Sequence, residues 1–169
     1  MNSKIIDNKE HIKLISNWIS PNGIIKTELL YRLSDDGDQF SKFHELCDNK
    51  GPTLTLFHTI DGYKVGIYTP LSWDNKTNDW KSDWDTFIFN LNQNKKYKKA
   101  REQDSLYCHK DYGPYTDYFG CHSDCKTMKK IIFRDGIQNS YEGGSEILPG
   151  NEKIKYYDLS EVEIYKIPK

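Results

Sequence analysis

The hydrophobic positions near the start of the chain recur at the spacing of an amphipathic helix. One face and its edges carry the apolar residues Ile12, Leu14, Ile15, Trp18 and Ile19. Asp7 and Glu10 have the spacing of a capping box, in which two side chains satisfy free amides of the first helical turn. A Ser-Pro-Asn-Gly run at residues 20–23 is typical of a helix end. The pattern therefore predicts a first helix after Asp7 that ends before residue 20.

A second helix is predicted from Asp38 to Cys47. Phe40, Phe43 and Cys47 recur at helical spacing, and Asp38 has a side chain suited to cap the first turn. The run at residues 48–52, Asp-Asn-Lys-Gly-Pro, breaks the pattern. The acidic run before this helix, residues 35–38, resembles a calcium loop for four residues only. Its glycine is misplaced and no acid follows at the twelfth position, so we interpret it as a turn.

From residue 53 onward the apolar positions have a period of two, which indicates strands. Thr53–Thr59 and Lys64–Thr69 both alternate, and Asp61-Gly62 between them is a strong hairpin signal in which both residues are expected to have positive φ. The same reasoning predicts five further strands: Glu28 to Leu33, Thr86 to Leu91, Ser105 to His109, Lys129 to Phe133 and Val162 to Ile167. We therefore expect one domain over residues 1–169 with an α+β, mainly β fold: a sandwich of two antiparallel β-sheets flanked by short helices.

The composition supports such a core without a cofactor. The 169 residues are 36% hydrophobic and 14% aromatic, with 12 Tyr and 4 Trp. A chain of this length buries about 70% of the surface that its unfolded form exposes, so it needs no metal or disulfide to complete a core. Aromatic rings of this number are typical of sheet faces, where they pack on the pleat.

The charges disfavour a duplex-binding protein but mark one lysine-rich segment. Only three of the 24 basic residues are arginines, and the net charge is −1. Residues 94–101 carry five positive charges and no acid, which leaves −6 on the rest of the chain. A solvated loop is the simplest interpretation. The alternatives are contact with an acidic protein, an anionic lipid head group or nucleic acid, and nuclear import. The residues that would make such contacts are Lys95, Lys96, Lys98, Lys99 and Arg101.

The sequence contains no pattern for a membrane span or for export. Apolar runs such as Ile131-Ile132-Phe133 fall far short of the roughly 18 residues that a spanning helix needs. The first 18 residues interleave polar and apolar positions, unlike a signal peptide. We therefore expect a cytoplasmic protein, with nuclear entry through the lysine segment as a further option, and free cysteine thiols.

Two sets of residues are candidates for chemistry, although the common phosphate-loop, dinucleotide and nucleophile-elbow motifs are absent. The first set comprises thiols and imidazoles that could bind structural zinc, at an irregular spacing that argues against it. Its members are Cys108, Cys121, His122 and Cys125. The second set would serve a hydrolase or a thiol-redox enzyme. Its members are His44, His122, Asp124 and either Cys121 or Cys125. Our leading interpretation assigns no catalytic, cofactor or metal residue.

Two further features have structural interpretations. Residues 79–85 interleave Trp80 and Trp84 with aspartates, which we interpret as turn acids beside rings that cover the sheet. Arg32 lies in the middle of a predicted strand, either at the surface or half-buried. In the second case it requires a carboxylate partner such as Glu161 or Glu163.

Short motifs follow one another in a specific order along the chain. They are Leu30 to Asp38, Phe43-His44, Cys47, Lys50 to Leu54, Gly62, Gly66, Tyr68-Thr69, Trp73, Thr86 to Leu91, Gly113-Pro114, Phe119-Gly120, Leu148 to Gly150 and Glu161 to Tyr165. This order resembles that of a TLDc domain, the module of the oxidation-resistance proteins, over about residues 24–167. Lys-Gly-Pro-Thr-Leu after a Phe-His helix is the most specific of these motifs. Ile67 departs from the family's Gly-Gly-Tyr-Thr hairpin, and His122-Ser123-Asp124 departs from its His-Asp pair.

The resemblance implies a two-sheet sandwich with flanking helices, in agreement with the period-two pattern. It also implies a non-catalytic interaction domain that acts in resistance to oxidative stress. The partner that it implies is the vacuolar-type proton-pumping ATPase, whose assembly such proteins influence. No established catalytic mechanism accompanies the family.

Overall fold

The computed structural model describes residues 1–150 and 152–168. Three helices precede or interrupt the first strands: α1 (Lys9–Ile19), α2 (Leu33–Asp36) and α3 (Phe40–Cys47). Eleven strands follow the order β1 (Glu28–Arg32), β2 (Thr53–Thr59), β3 (Lys64–Thr69), β4 (Asp79–Lys81), β5 (Phe87–Asn90), β6 (Lys95–Lys98), β7 (Leu106–Cys108), β8 (Tyr115–Thr116), β9 (Phe119–Gly120), β10 (Lys130–Arg134) and β11 (Ile154–Lys166). Short 3-10 turns lie at Ser123–Cys125, Ile137–Asn139 and Gly144–Glu146. In this part of the chain no helix has both the length and the apolar character needed to span a bilayer.

The strands form two antiparallel sheets, which confirms the predicted mainly β fold with flanking helices. The large sheet has nine strands in the order β6-β5-β3-β2-β11-β10-β9-β8, with β1 also paired to β11, and the small sheet pairs β4 with β7. The 13-residue strand β11 is shared, because its first half pairs with β10 and its second half with β1 and β2. An irregularity between Leu159 and Glu161 lies where these partners change.

The period-two pattern places apolar side chains on both faces of the central strands. Leu54 and Leu56 of β2 belong to the smaller core, together with Ile15 of α1, while Phe57 belongs to the larger core on the other face. Each fully buried side chain of this size contributes about 1.5–3 kcal/mol. Helix α1 therefore covers one face of the sheet, and the amphipathic pattern of residues 12–19 is the reason that it binds there.

The predicted strands are all present, and two agree with the structure to the residue, Thr53–Thr59 and Lys64–Thr69. The last strand is much longer than predicted, because it begins at Ile154. Strands β4, β8 and β9 were not predicted, and they contain only two or three residues each. Such short segments do not show a period.

The prediction of a solvated loop at residues 94–101 is wrong, because this segment contains strand β6 at the edge of the large sheet. Within β6, Lys95, Lys96 and Lys98 are exposed and Tyr97 is buried, so this four-residue strand contains a single inward aromatic ring and no apolar alternation. Lysines on an edge strand discourage pairing with another chain, which gives this charge run a structural role.

The predicted cap of the first helix is wrong by one residue. Asn8 is the N-cap, and its Oδ1 accepts a hydrogen bond from the Glu10 amide at 2.8 Å. Asp7 instead forms an ion pair with Lys64 at 3.2 Å. The helix ends at Ile19, as predicted.

The second helix begins at Phe40 rather than at Asp38, and its N-cap position is Gln39 without a capping side chain. Asp38 does not cap it: its carboxylate accepts from the Gln39 side-chain amide at 3.1 Å and lies 3.7 Å from Lys129 Nζ. Its backbone carbonyl accepts from the Met128 amide at 2.8 Å and so holds a distant loop. The acidic residues before it are not a simple turn but the short helix α2, in which the Asp36 carboxylate accepts from the Arg32 amide at 2.8 Å.

The predicted hairpin between β2 and β3 is present, but its turn differs from the prediction. Of the two turn residues only Gly62 has a positive φ, +99°, whereas Asp61 does not. The Gly62 amide donates to the Thr59 carbonyl at 3.0 Å, and the Tyr63 amide donates to the Thr59 hydroxyl at 2.8 Å. The loop between β2 and β3 contains residues 60–63 rather than the two residues of the predicted turn, and it needs a left-handed conformation only at Gly62.

Candidate functional site

His44 lies on α3 and is 5% exposed, with both ring nitrogens bonded. Nδ1 lies 2.8 Å from Oδ1 of Asp48, and Nε2 lies 3.0 Å and 2.9 Å from the carbonyl oxygens of His109 and Tyr112. A carbonyl oxygen only accepts, so Nε2 carries a proton and donates it. The ring therefore fastens α3 to the turn at residues 109–112. A general base requires a nitrogen that can take a substrate's proton, and both nitrogens are already engaged.

His122 lies immediately before the 3-10 turn Ser123–Cys125. Its Nδ1 accepts from the Asp124 amide at 3.0 Å, and its Nε2 lies 3.3 Å from the Tyr112 hydroxyl. Its ring packs against the rings of Tyr112 and Tyr115, with centroids 4.8 and 5.2 Å apart. Burial lowers the pKa of His122, although the carboxylate of Asp124 opposes that shift. The ring is thus a neutral member of an aromatic cluster at ordinary pH.

The four cysteines, Cys47, Cys108, Cys121 and Cys125, are free and buried. Burial raises the pKa of Cys125 to about 11 and the pKa of Cys121 well above its usual value. Burial likewise raises the pKa of Cys47 and of Cys108. A nucleophilic cysteine needs the thiolate form, which these surroundings disfavour.

The structure does not assemble the zinc alternative. Among residues 1–150 and 152–168, no group of three or more His, Cys, Asp or Glu side chains is arranged to hold a metal ion. Cys108 lies on β7 of the small sheet, whereas Cys121 follows β9 of the large sheet.

The cavity beside His44 does not contain the other residues that the hydrolase alternative requires. A cavity of about 560 Å³ adjoins that residue, and its other polar lining residues include Glu45, Lys110 and Lys126. Neither His122 nor a cysteine lines this cavity.

The lysine strand β6 places three of the five predicted contact residues at the surface. Lys95 forms an ion pair with Glu146 at 3.0 Å, and Lys98 forms one with Glu142 at 3.6 Å. Lys96 Nζ instead lies 5.0 Å from the centroid of the Phe87 ring. The acids of the 3-10 turn region therefore neutralise part of the charge that the sequence concentrates in residues 94–101.

Lys99 is buried and cannot be a surface contact residue, which corrects that part of the prediction, whereas Arg101 is partly exposed and already paired. Lys99 is 3% exposed, and its ammonium donates to the Gln103 carbonyl at 2.8 Å. Burial lowers the pKa of Lys99 to about 8. Arg101 donates to Asp104 at 3.0 Å and to Asp117 at 2.7 Å, so it ties two loops together.

The tryptophans of residues 79–85 divide between two roles. Trp80 lies on β4 and packs against Tyr107 and Tyr115, with centroids 5.0 and 6.1 Å apart, as a ring that covers the sheet. The same prediction is wrong for Trp84, which is 58% exposed and lines a groove beside Lys96. Both tryptophans lie beside aspartates in the sequence, so the local pattern does not distinguish their roles.

Arg32 is 11% exposed and lies beside the fully buried Glu163, with Nη2 3.6 Å from Oε2. This confirms the half-buried alternative. Of the two predicted acids, Glu163 rather than Glu161 faces Arg32, whose Nη1 also donates to Asp35 Oδ2 at 3.3 Å. Glu161 instead accepts from the Ser34 amide at 3.1 Å. The sequence did not predict that Glu163 Oε1 also accepts from the amides of Lys4 and Ile5, at 2.7 and 3.0 Å. A buried carboxylate thus anchors the first residues of the chain.

Comparison with known families gives one match. The family model described as TLDc domain matches residues 1–167, and this range includes helix α1 as well as the sheets. No curated protein gives a significant match.

Proposed function

We propose that this chain, which belongs to the TLDc domain family, is a non-catalytic protein-interaction domain in resistance to oxidative stress. In this proposal it binds and regulates a vacuolar-type proton-pumping ATPase. The match over residues 1–167 carries the proposal, because it includes nearly the whole chain. In this proposal the chain acts in the cytoplasm, with nuclear entry as a further option.

The chemistry of the candidate residues supports a binding role over catalysis. His44 uses both ring nitrogens to hold α3 to a neighbouring turn. The buried thiols have raised pKa values, so they hold little thiolate at neutral pH. These observations favour an interaction domain, which acts through its surface.

A binding assay with a purified vacuolar-type ATPase tests this function. The tagged chain is expected to retain ATPase subunits, to release them to excess untagged chain, and to change the rate of proton pumping in reconstituted vesicles. A tagged unrelated β-sheet protein serves as the control. If the chain at micromolar concentration neither retains subunits nor alters pumping, the ATPase role is wrong.

A further inference from the structure

A groove runs between the end of α1 and strands β3 and β5. It consists of two adjoining cavities of about 510 and 460 Å³ that share Ile19, Tyr68 and Pro70 as lining residues. Ile24 lines the first cavity and Trp84 lines the second. We call this surface the α1–β3 groove.

The α1–β3 groove carries large apolar and aromatic side chains beside its polar ones. Ile24 is 82% exposed and Trp84 is 58% exposed, and both are among the most exposed large hydrophobic residues of the described chain. Between them lies an aromatic wall, in which Phe87 packs against Tyr68 at 5.1 Å and against Trp18 at 6.2 Å between centroids. A contiguous apolar surface with an exposed tryptophan is typical of a protein-binding site, because tryptophan contributes much of the binding energy where it becomes buried.

The charges that line the α1–β3 groove are mostly positive. Lys26 lines the first cavity, and Lys96 and Lys98 line the second, whereas Asp85 is the one acid in either lining. Lys98 already pairs with Glu142 at 3.6 Å, so Lys26 and Lys96 supply the charge that is left for a ligand. Within the described residues Lys96 has no carboxylate within 4.0 Å, and its Nζ lies 5.0 Å from the Phe87 ring centroid. The complement of this arrangement is a carboxylate next to an apolar side chain.

We propose that the α1–β3 groove binds an acidic amphipathic segment of a partner protein. Apolar side chains of that segment fill the two cavities against Tyr68 and Trp84, and a carboxylate pairs with Lys96. The concave shape favours a peptide over a membrane, because a lipid surface does not fill a groove. The inference rests on the proposed interaction function and adds the face and the chemistry of the partner segment.

Selection from a random 12-residue peptide display library tests the groove directly. Selected peptides are expected to combine Asp or Glu with Leu, Ile, Phe or Trp. Their affinity is expected to fall at least about tenfold in Trp84→Ala and in Lys96→Glu. Both positions are exposed, and unchanged circular dichroism and melting temperature will establish that the variants fold. Ile60→Ala and Lys153→Glu are matched controls at exposed positions outside the groove, and they are expected to bind as the wild type does.

The outcomes separate the groove from the ATPase role when the same variants enter the ATPase assay. Loss of both peptides and ATPase in Trp84→Ala and Lys96→Glu supports both proposals. Groove-dependent acidic peptides without ATPase retention by the wild type support the groove and overturn the ATPase role. Undiminished ATPase binding by both variants overturns the groove as the partner site and leaves the function intact.

Two further results would also overturn the inference. One is a set of selected peptides that lack acids or that bind Trp84→Ala unchanged. The other is binding to vesicles of phosphatidylserine and phosphatidylcholine that depends on Trp84 and Lys96 while no acidic peptide is selected. That result would assign the surface to a membrane.

Discussion

At the scale of single residues, buried charges explain more of the structure than the exposed ones do. Glu163 is fully buried, and its partners include Arg32 and the amides of Lys4 and Ile5. Lys99 is nearly as buried and has one carbonyl acceptor. The sequence placed Arg32 and an acid on strands, but only the structure decides which acid faces it.

Replacement of Arg32 by alanine is expected to lower the free energy of unfolding by about 2–3 kcal/mol, because it leaves the buried Glu163 without its cation. The measurement is urea unfolding at pH 7. Lys42→Ala, which breaks an ion pair between side chains 38% and 65% exposed, is the control and should cost less than about 0.5 kcal/mol. Equal effects of the two substitutions would contradict the buried pair.

The buried Lys99 is expected to make the stability of the chain rise with pH. Burial lowers its pKa in the folded chain from 10.5 to about 8. Between these values the unfolded chain binds a proton that the folded chain has lost, so stability rises with pH in this window. Relative to Lys99→Met, the wild type is expected to gain on the order of 1–2 kcal/mol between pH 8 and 10. Chemical unfolding at several pH values measures this gain.

The exposed Lys95→Met is the control, since it leaves the ammonium of Lys99 buried and should retain the same slope. A wild type and a Lys99→Met variant with parallel stability profiles would show that Lys99 is not desolvated in solution.

The thiols provide a test against the redox alternative. Because all four cysteines are buried and their pKa values are raised, the native chain should react with a thiol reagent at pH 7.5 far more slowly than free cysteine does. All four should react promptly in 6 M guanidinium chloride, which is the control. A native Cys121 or Cys125 that reacts as fast as free cysteine would revive the thiol-redox hypothesis.

At the scale of elements, strands β2, β3 and β5 approach so closely at Gly66 that the backbone has no room for a side chain. A Cβ atom on Gly66 would lie 2.2 Å from the Thr55 carbonyl oxygen and 2.4 Å from a ring carbon of Phe89. The backbone of β2 cannot move away from the added methyl group without disturbing the sheet. Gly66 is therefore required by packing rather than by its torsion angles.

Gly66→Ala is expected to cost at least about 3 kcal/mol of unfolding free energy, because the new methyl overpacks the centre of the sheet. Thermal and urea unfolding measure the loss. Gly62→Asn is the matched control in the same hairpin. Its site has a φ of +99° but open space, and asparagine tolerates left-handed conformations better than most residues do. A Gly66→Ala variant as stable as the control would contradict the close strand packing.

At the scale of the whole molecule, the first helix completes the fold. Ile15 is fully buried in the core that contains Leu54, Leu56 and Phe89, on the face of the sheet opposite the larger core. Removal of the helix would expose that face to water. The family match from residue 1 includes this segment, in line with its place in the core.

Ile15→Ala is expected to destabilise the chain by about 2–4 kcal/mol, since it leaves a cavity between α1 and the sheet. Deletion of residues 1–23 should destabilise the chain more than Ile15→Ala does, and the deleted chain is expected to bind a hydrophobic dye and to aggregate. Lys13→Ala, at an exposed position of the same helix, is the control and should change little. A deleted chain that unfolds cooperatively like the wild type would show that α1 is dispensable.

The sequence by itself determined the elements whose signals are local. The period of two located β2 and β3 to the residue, and the apolar face of residues 12–19 located α1. Successive side chains of a strand point to opposite faces, and every third or fourth side chain of a helix lies on one face, so both elements leave a repeat in the sequence. The ordered motifs likewise identified the family. For the same reason the sequence did not find β4, β8 and β9, which contain too few residues for a repeat.

Only the tertiary structure decided the roles of charged and aromatic side chains. Within one lysine-rich segment, Lys96 lines an open groove and Lys99 is buried, although their neighbours in sequence are similar. Trp80 covers a sheet, whereas Trp84 four residues later is exposed. These differences arise from strands and loops that are distant in sequence, since desolvation and charge pairing depend on what the folded chain brings close.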